Sequence, residues 1–181
     1  VLAFARAIIR PGGKALLIKP DNSGDGWVPV EEAVRSGRPF AVEVADDILA
    51  LDCDRPDLAD EVSRLADALR LDGLDTVLVA SGQPGRRHLL SRASDPDVLE
   101  RYKQRARALG LDVRTCIRPP LAPHRLGLQV ALLDPADPAE ALAALTPPGV
   151  PPLSPRIAEL LRAGDREGRY ARTGKRSSVV M

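Results

Sequence analysis

From Ile48 to Ile117 the chain changes its hydrophobic periodicity at each step, and that succession leaves few folds open to it. Ile48-Leu49-Ala50-Leu51 is a short apolar run ending in Asp52-Cys53-Asp54, the pattern of a buried strand reaching its polar end. Leu58, Val62, Leu65, Ala66 and Leu69 then recur at helical spacing to about Leu71, with Asp57 as the expected N-cap and Asp72-Gly73 as the stop. Thr76-Val77-Leu78-Val79-Ala80 is a β run, Ser81-Gly82-Gln83-Pro84-Gly85 is turn chemistry, and Arg87-His88-Leu89-Leu90 returns as a strand. Asp95-Pro96 places an N-cap before a proline at the first helical position, opening a helix that Gly110 closes. Leu111 to Ile117 alternates again and reads as one strand.

The order is β-α-β-β-α-β, the split βαβ pattern of ferredoxin-like and RRM-like folds. The expected class is α/β (α+β), with an RRM-like/ferredoxin-like βαββαβ core. In an antiparallel sheet of order 4-1-3-2 the first strand is central, and Asp52 and Asp54 at its end fall beside His88 and Asp112 at the starts of the third and fourth.

Before this core, residues 1–45 read as an N-terminal α/β segment. Ala15-Leu16-Leu17-Ile18 and Ala41-Val42-Glu43-Val44 are expected strands, Glu31 to Arg35 a helical turn, and Gly12-Gly13 and Asn22 to Gly26 loops. After it, the prolines of Arg118-Pro119-Pro120-Leu121-Ala122-Pro123-His124-Arg125 forbid regular structure. Leu128 to Leu133 reads as a strand, and Asp137-Pro138 starts a short helix. We therefore expect one folded unit over residues 1–146, its core at 46–146. Residues 147–181 form a proline-rich linker and a short helical C-terminal extension, with a helix from Ser154-Pro155 to Gly164. The chain begins with Val and stops inside an apparently continuing segment, so a longer parent protein is expected.

Composition narrows the function classes. No apolar run is long enough to span a membrane, and no signal peptide is evident. Cys53 and Cys116 are the only cysteines and form no CxxC, which argues against a zinc knuckle or disulfide framework and for a reducing, cytoplasmic setting. Net charge is +1, so any nucleic-acid partner must be met by local charge, and arginines do gather at 86–87, 101–107 and 114–125. Aromatics are 3% of the chain, too few for a broad base-stacking platform.

Asp52 and Asp54 share a strand face with Ile48 and Ala50, their Cα atoms roughly 6–7 Å apart. That suits hard divalent cations held about 3.5–4 Å apart for phosphoryl transfer; the plainer reading is a strand fraying into an acidic turn. Asp112, with Arg114 on its face and Arg118 beyond, is either a third metal carboxylate with guanidinium forks for phosphate or a surface Asp–Arg pair. Ser81-Gly82 and Gly85-Arg86-Arg87 precede His88, small residues then cations, as in a triphosphate cradle; the alternative is a structural histidine. His124, beside Arg125, either reads substrate or template or stiffens its loop. Gly174-Lys175-Arg176 is not a phosphate-binding loop, because Arg169 and Arg176 stand where Gly and Ser/Thr are needed. The tail from Arg162 to Arg176 reads as a solvated extension or a DNA contact.

Together these motifs resemble the archaeo-eukaryotic primase superfamily, most of all the prim-pol domains of plasmid, phage and integrative-element replication proteins. The resemblance runs over residues 40–135. It rests on Asp-x-Asp at Asp52 and Asp54, the small-residue turn leading from Ser81 to His88, Leu111-Asp112-Val113-Arg114, and the proline loop from Arg118 to Gly127. It implies template-directed nucleotidyl transfer, a primase or DNA polymerase activity, on single-stranded DNA with nucleoside or deoxynucleoside triphosphates. Asp52, Asp54 and Asp112 would bind two Mg²⁺ or Mn²⁺ ions. Ser81, Arg86, Arg87 and His88 would hold nucleotide phosphates, and Arg114, Arg118, His124 and Arg125 would contact nucleotide or template. It also implies a helicase or DNA-binding region in the same longer protein. Two other readings stay open: a metal-dependent nuclease, and a non-catalytic replication-initiator module.

Overall fold

The computed structural model describes residues 1–128, 130–151 and 154–163; the expectations for the tail beyond Ala163 lie outside the described residues. The chain is mixed α/β with two antiparallel sheets. The first holds β1 (Ala15–Ile18), β2 (Gly24–Val28), β3 (Phe40–Glu43) and β8 (Cys116–Ile117) in the order β2-β1-β3-β8. The second holds β4 (Ile48–Cys53), β5 (Thr76–Ala80), β6 (Arg87–Arg92), β7 (Asp112–Val113) and β9 (Ala131–Asp134) in the order β7-β4-β6-β5-β9. The helices are α1 (Leu2–Ile8), α2 (Val30–Ser36), α3 (Ala59–Leu71), α4 (Pro96–Ala108) and α5 (Pro138–Leu145), with a 3₁₀ turn at Pro56–Leu58. Residues 155–163 are also helical.

The second sheet is buried on both faces, as the near-continuous apolar run of β4 requires. Leu49, Leu51, Cys53, Leu78 and Leu89 face α3 and α4 and pack on Val62, Leu65, Leu69, Leu99 and Tyr102. The alternate residues Ile48, Ala50, Val77, Val79 and Leu90 face the other way. They join Phe4 and Ile8 of α1, Leu17, Phe40 and Val42 of the first sheet, and Leu142 and Leu145 of α5 in one core. Arg92 ties three elements together there: it pairs with Asp47 and donates to the carbonyls of Leu145 and Ala7.

Local signals act as their chemistry demands at several points. Asp95 accepts from the Asp97 N–H at 2.9 Å and starts α4, and Asp137 accepts from the N–H groups of Ala139 and Glu140 and starts α5. Four departures are physical. Asp57 does not cap α3; its carboxylate pairs with Arg55, and a 3₁₀ turn leads into the helix at Ala59. Gly24–Val28 is an edge strand rather than part of a loop, held by pairing to β1, with four of its five residues exposed and so no buried face to give it away. The strand expected over Leu128 to Leu133 is confined to Ala131–Asp134. Leu111 to Ile117 is not one strand: Val113 pairs with Leu51 of the second sheet, while Cys116 and Ile117 pair with β3 of the first. Helix α1 has no counterpart among the expected elements; its seven residues bury Phe4, Ala5 and Ile8.

The two faces of α3 make a direct test. Leu69→Ala, in the buried seam, should cost about 2–5 kcal/mol of unfolding free energy. Leu71→Ala, 87% exposed two residues later, should stay within about 0.5 kcal/mol by urea denaturation.

Candidate functional site

The face of the second sheet that carries Ile48, Ala50 and Leu90 is apolar at one end and polar at the other, and strand register explains the change. Asp52 lies opposite His88 of β6 on one side and opposite Asp112 of β7 on the other. Asp112, Asp52 and His88 therefore stand in one row on one face. Continued past the end of β4, the same register brings Asp54 to Arg86, and their side chains pair at 2.9 Å. The Ser81 N–H donates to the Arg86 carbonyl.

Asp52 is the most constrained member of the row. Arg114 Nη2 lies 2.9 Å from its Oδ2, and His88 Nε2 lies 3.4 Å from its Oδ1. The second distance is too long for a well-formed hydrogen bond, so Asp52 Oδ1 is a buried acceptor without a hydrogen-bond partner among the described residues, as, on the other side of the ring, is His88 Nδ1. Burial pushes the Asp52 carboxyl up, but His88 and Arg114 together outweigh it and hold it below the usual carboxylate range.

The row opens into a cleft between the two sheets. Its second-sheet wall carries Asp52, Asp54, Ser81, Gln83, Arg86 and His88. The opposite wall is Leu16, Ile18 and Ala41 of the first sheet, with Cys116 and Ile117. The proline loop supplies Arg118, His124 and Arg125. Gly82 lets this loop close down on the β5–β6 turn: its φ is +96°, and a Cβ there would sit 3.2 Å from His124 Cγ and from Leu128 Cβ. The loop holds itself through His124 N–H to the Leu128 carbonyl and Gly127 N–H to the His124 carbonyl.

Charge in the cleft is uneven: four arginines line it against two aspartates. Arg86 and Arg114 are engaged by Asp54 and Asp52, whereas Arg118 and Arg125 make no ion pair among the described residues. Arg118 is largely desolvated, its Nε without a partner. The Arg125 guanidinium donates to the Pro20 carbonyl in the β1–β2 turn. His124 Nδ1 accepts from the Leu126 N–H at 3.1 Å, so in neutral imidazole the proton sits on Nε2. Burial, then the charges of Arg118 and Arg125, lower the His124 pKa, which keeps it neutral near pH 7. Cys116 lines the cleft too, but burial raises its thiol pKa and makes it a poor nucleophile.

Two expected site residues are not brought into the cleft. Arg87 lies opposite Cys53 and Ala80, on the alternate face of β6 from His88, and its guanidinium donates to the Arg86 carbonyl. Asp112 has the expected backbone position, but its side chain is 65% exposed on a two-residue edge strand and is held by Arg114 Nη2 at 3.1 Å. Among the described residues no group of three His, Cys, Asp or Glu side chains is gathered closely enough to hold a metal. What is gathered is a pair, Asp52 and Asp54, with the unpartnered Asp52 Oδ1. Two carboxylates with a free buried oxygen fit a hard, oxygen-liganded divalent cation. The first-sheet wall (Leu16, Ile18, Ala41 and Asn22) escapes sequence reading, because nothing local reports which sheet faces a site.

Neither a scan of protein-family models nor comparisons with curated proteins and solved structures find a match to this chain.

The low His124 pKa fixes the sign of a pH effect. A histidine whose folded pKa lies below its unfolded value takes up a proton more readily when unfolded. Stability should therefore fall as pH drops from about 6.5 through the folded pKa. His124→Gln should flatten that part of the pH profile, measured by thermal melts from neutral pH downward, with His88 present in both proteins.

Proposed function

We propose that this chain is a nucleotidyltransferase domain of the primase-polymerase type, extending a strand from nucleoside triphosphates on a single-stranded DNA template. The observation that carries the reading is Asp52 and Asp54, with His88 beside Asp52, lining a cleft whose other charged side chains are mostly arginine. An acidic centre able to hold a divalent cation, rimmed by guanidinium groups, is what a reaction between polyanions requires. The succession β4-α3-β5-β6-α4-β7, with β7-β4-β6-β5 as neighbours, supports reading the core as RRM-like.

In this reading Asp52 and Asp54 hold a Mg²⁺ or Mn²⁺ ion. Such an ion would supply a lowered pKa for the attacking 3′-hydroxyl and charge neutralisation for the leaving pyrophosphate. The chain's own residues do the positioning. Arg118 and Arg125 meet phosphate oxygens, where a planar fork gives two parallel hydrogen bonds. His124 presents its Nε2–H as a neutral donor. His88, packed against Asp52, keeps that carboxylate in place at the end of the cleft where the nucleotide phosphates bind. The hydroxyl oxygen bonds to the α-phosphorus, pyrophosphate departs and the proton passes to solvent. Ser81 and Arg86 border the same end of the cleft and flank the triphosphate.

Arg114 has a distinct part. Asp52 and Asp112 are cross-strand neighbours of like charge, a destabilising arrangement that the guanidinium between them relieves. A second cation shared by Asp52 and Asp112 would have to displace Arg114, so Asp112 would become a ligand only where Arg114 gives way. Without metal, Arg114→Gln should lower the melting temperature, by about 2–4 °C for each kcal/mol of pairing lost. It should also enlarge the rise in melting temperature on adding Mn²⁺. An equal Mn²⁺ response in the two proteins would remove Arg114 from the metal site.

The activity test is incorporation of labelled nucleotides on a primed single-stranded template with Mn²⁺. Wild type should give template-dependent products, and Asp52→Ala/Asp54→Ala should lose roughly a hundredfold or more of the rate, the order expected when preorganised charge at a reacting centre is removed. Degradation of the strand in place of extension would identify a nuclease. Duplex binding without incorporation, unchanged in the double variant, would identify an initiator module.

A further inference from the structure

The first sheet carries a feature that the proposed chemistry does not use. Trp27 is the only tryptophan of the chain and is 46% exposed. It lies on β2 opposite Leu16, and Leu16 lies opposite Ala41 of β3. Residues directly opposite in antiparallel strands share a face, so Ala41, Leu16 and Trp27 form one row across three strands. Ala41 and Leu16 line the cleft. The row therefore runs from the cleft wall outward, and at about 4.8 Å per strand it sets the Trp27 backbone roughly 10 Å from that of Ala41. The opposite face of β1, through Ala15 and Leu17, is in the core, so Trp27 is not a core residue displaced to the surface.

Two further observations bear on this face. Gly24 lies opposite Ile18, and a Cβ there would press on Leu16 Cδ1 at 3.0 Å, so glycine leaves room for the Leu16 side chain on the face it shares with Trp27. Arg125, which makes no ion pair among the described residues, is tied to the β1–β2 turn through Pro20, so cationic charge is held next to the hairpin that carries the indole.

We infer that Trp27 is a stacking platform for a base of a single-stranded DNA leaving the cleft, with Arg118 and Arg125 holding the phosphates between. An exposed aromatic ring with a cationic groove beside it is the combination that binds single strands without sequence preference, since every base has a π-face. The excess of arginine over aspartate in the cleft selects an anionic strand over a neutral or basic protein segment. The inference rests on reading the cleft as a nucleotide-strand site.

Because Trp27 is the sole tryptophan, its fluorescence reports the contact directly in the intact chain. Titration with an oligothymidylate of about twelve nucleotides should quench it. Trp27→Ala should weaken binding about tenfold by anisotropy of a labelled strand, and Trp27→Phe should recover most of that loss. A strand of the same length with abasic sites should bind wild type and Trp27→Ala alike without quenching. Binding without quenching, with Trp27→Ala unaffected, overturns the platform and leaves the transferase reading intact. So does a fluorescence change that follows protein concentration without DNA, which would mean that a second copy covers the indole. Quenching and base-dependent binding without nucleotide incorporation keep the platform and remove the transferase. No single-strand binding by wild type removes both.

Discussion

A carboxylate held at the end of a central strand is the constraint around which the rest of the cleft is arranged. Asp52 has a strand on each side and an apolar core immediately behind it at Ala50 and Leu90. Its charge survives there only because His88 and Arg114 approach from the two neighbouring strands. Neither neighbour satisfies it completely: Oδ1 stays buried and unpartnered. An acceptor so placed raises the cost of keeping the charge at the end of a buried strand, which His88 and Arg114 offset. Mutual repulsion with Asp112, and the arginine needed to damp it, follow from the same position.

The cleft exists because one core ends where another wall begins. The apolar cluster that joins the two sheets fills the space up to Ala50 and Leu90, and beyond it polar side chains line the cleft. The stretch from Leu111 to Ile117 connects the two sheets, pinned to the second sheet by the Arg114 N–H to the Ala50 carbonyl and to the first by the Val44 N–H to the Thr115 carbonyl. It delivers Arg114 to one wall, Cys116 to the other, and Arg118 into the space between. Consecutive prolines after Arg118 withhold backbone donors and prevent β8 from running on. The loop turns instead and returns His124 and Arg125 over the site.

Elements with a buried face and a local start or stop signal were legible in the chain. Strands β4, β5 and β6 announce themselves by apolar runs, and α3 and α4 by seams such as Val62, Leu65 and Leu69. Elements stabilised by a partner rather than by their own pattern were not. Gly-Asp-Gly-Trp has no strand signature, yet pairing with β1 makes it one. The alternation from Leu111 to Ile117 is real, but alternation says nothing about which sheet receives each hydrogen bond. The side of β6 that Arg87 occupies follows from alternation once His88 is known to face the cleft. Only the register with Cys53 reveals that this side is the helix-covered one.

Sequence by itself therefore determined the strands β4, β5 and β6 and the helices α3 and α4, that Asp52 and Asp54 share the polar end of an apolar strand, and that His88 and Asp112 stand at the starts of later strands. These are consequences of periodicity and capping, which act over a few residues. Tertiary structure decided the rest. It turned Asp112 out toward Arg114, left Arg118 and Arg125 without acidic partners among the described residues, and supplied a second sheet as the facing wall with Trp27 at its edge. Those outcomes depend on hydrogen bonds and ion pairs between residues tens of positions apart. Such contacts are selected by packing and charge balance across the whole chain, which no local pattern encodes.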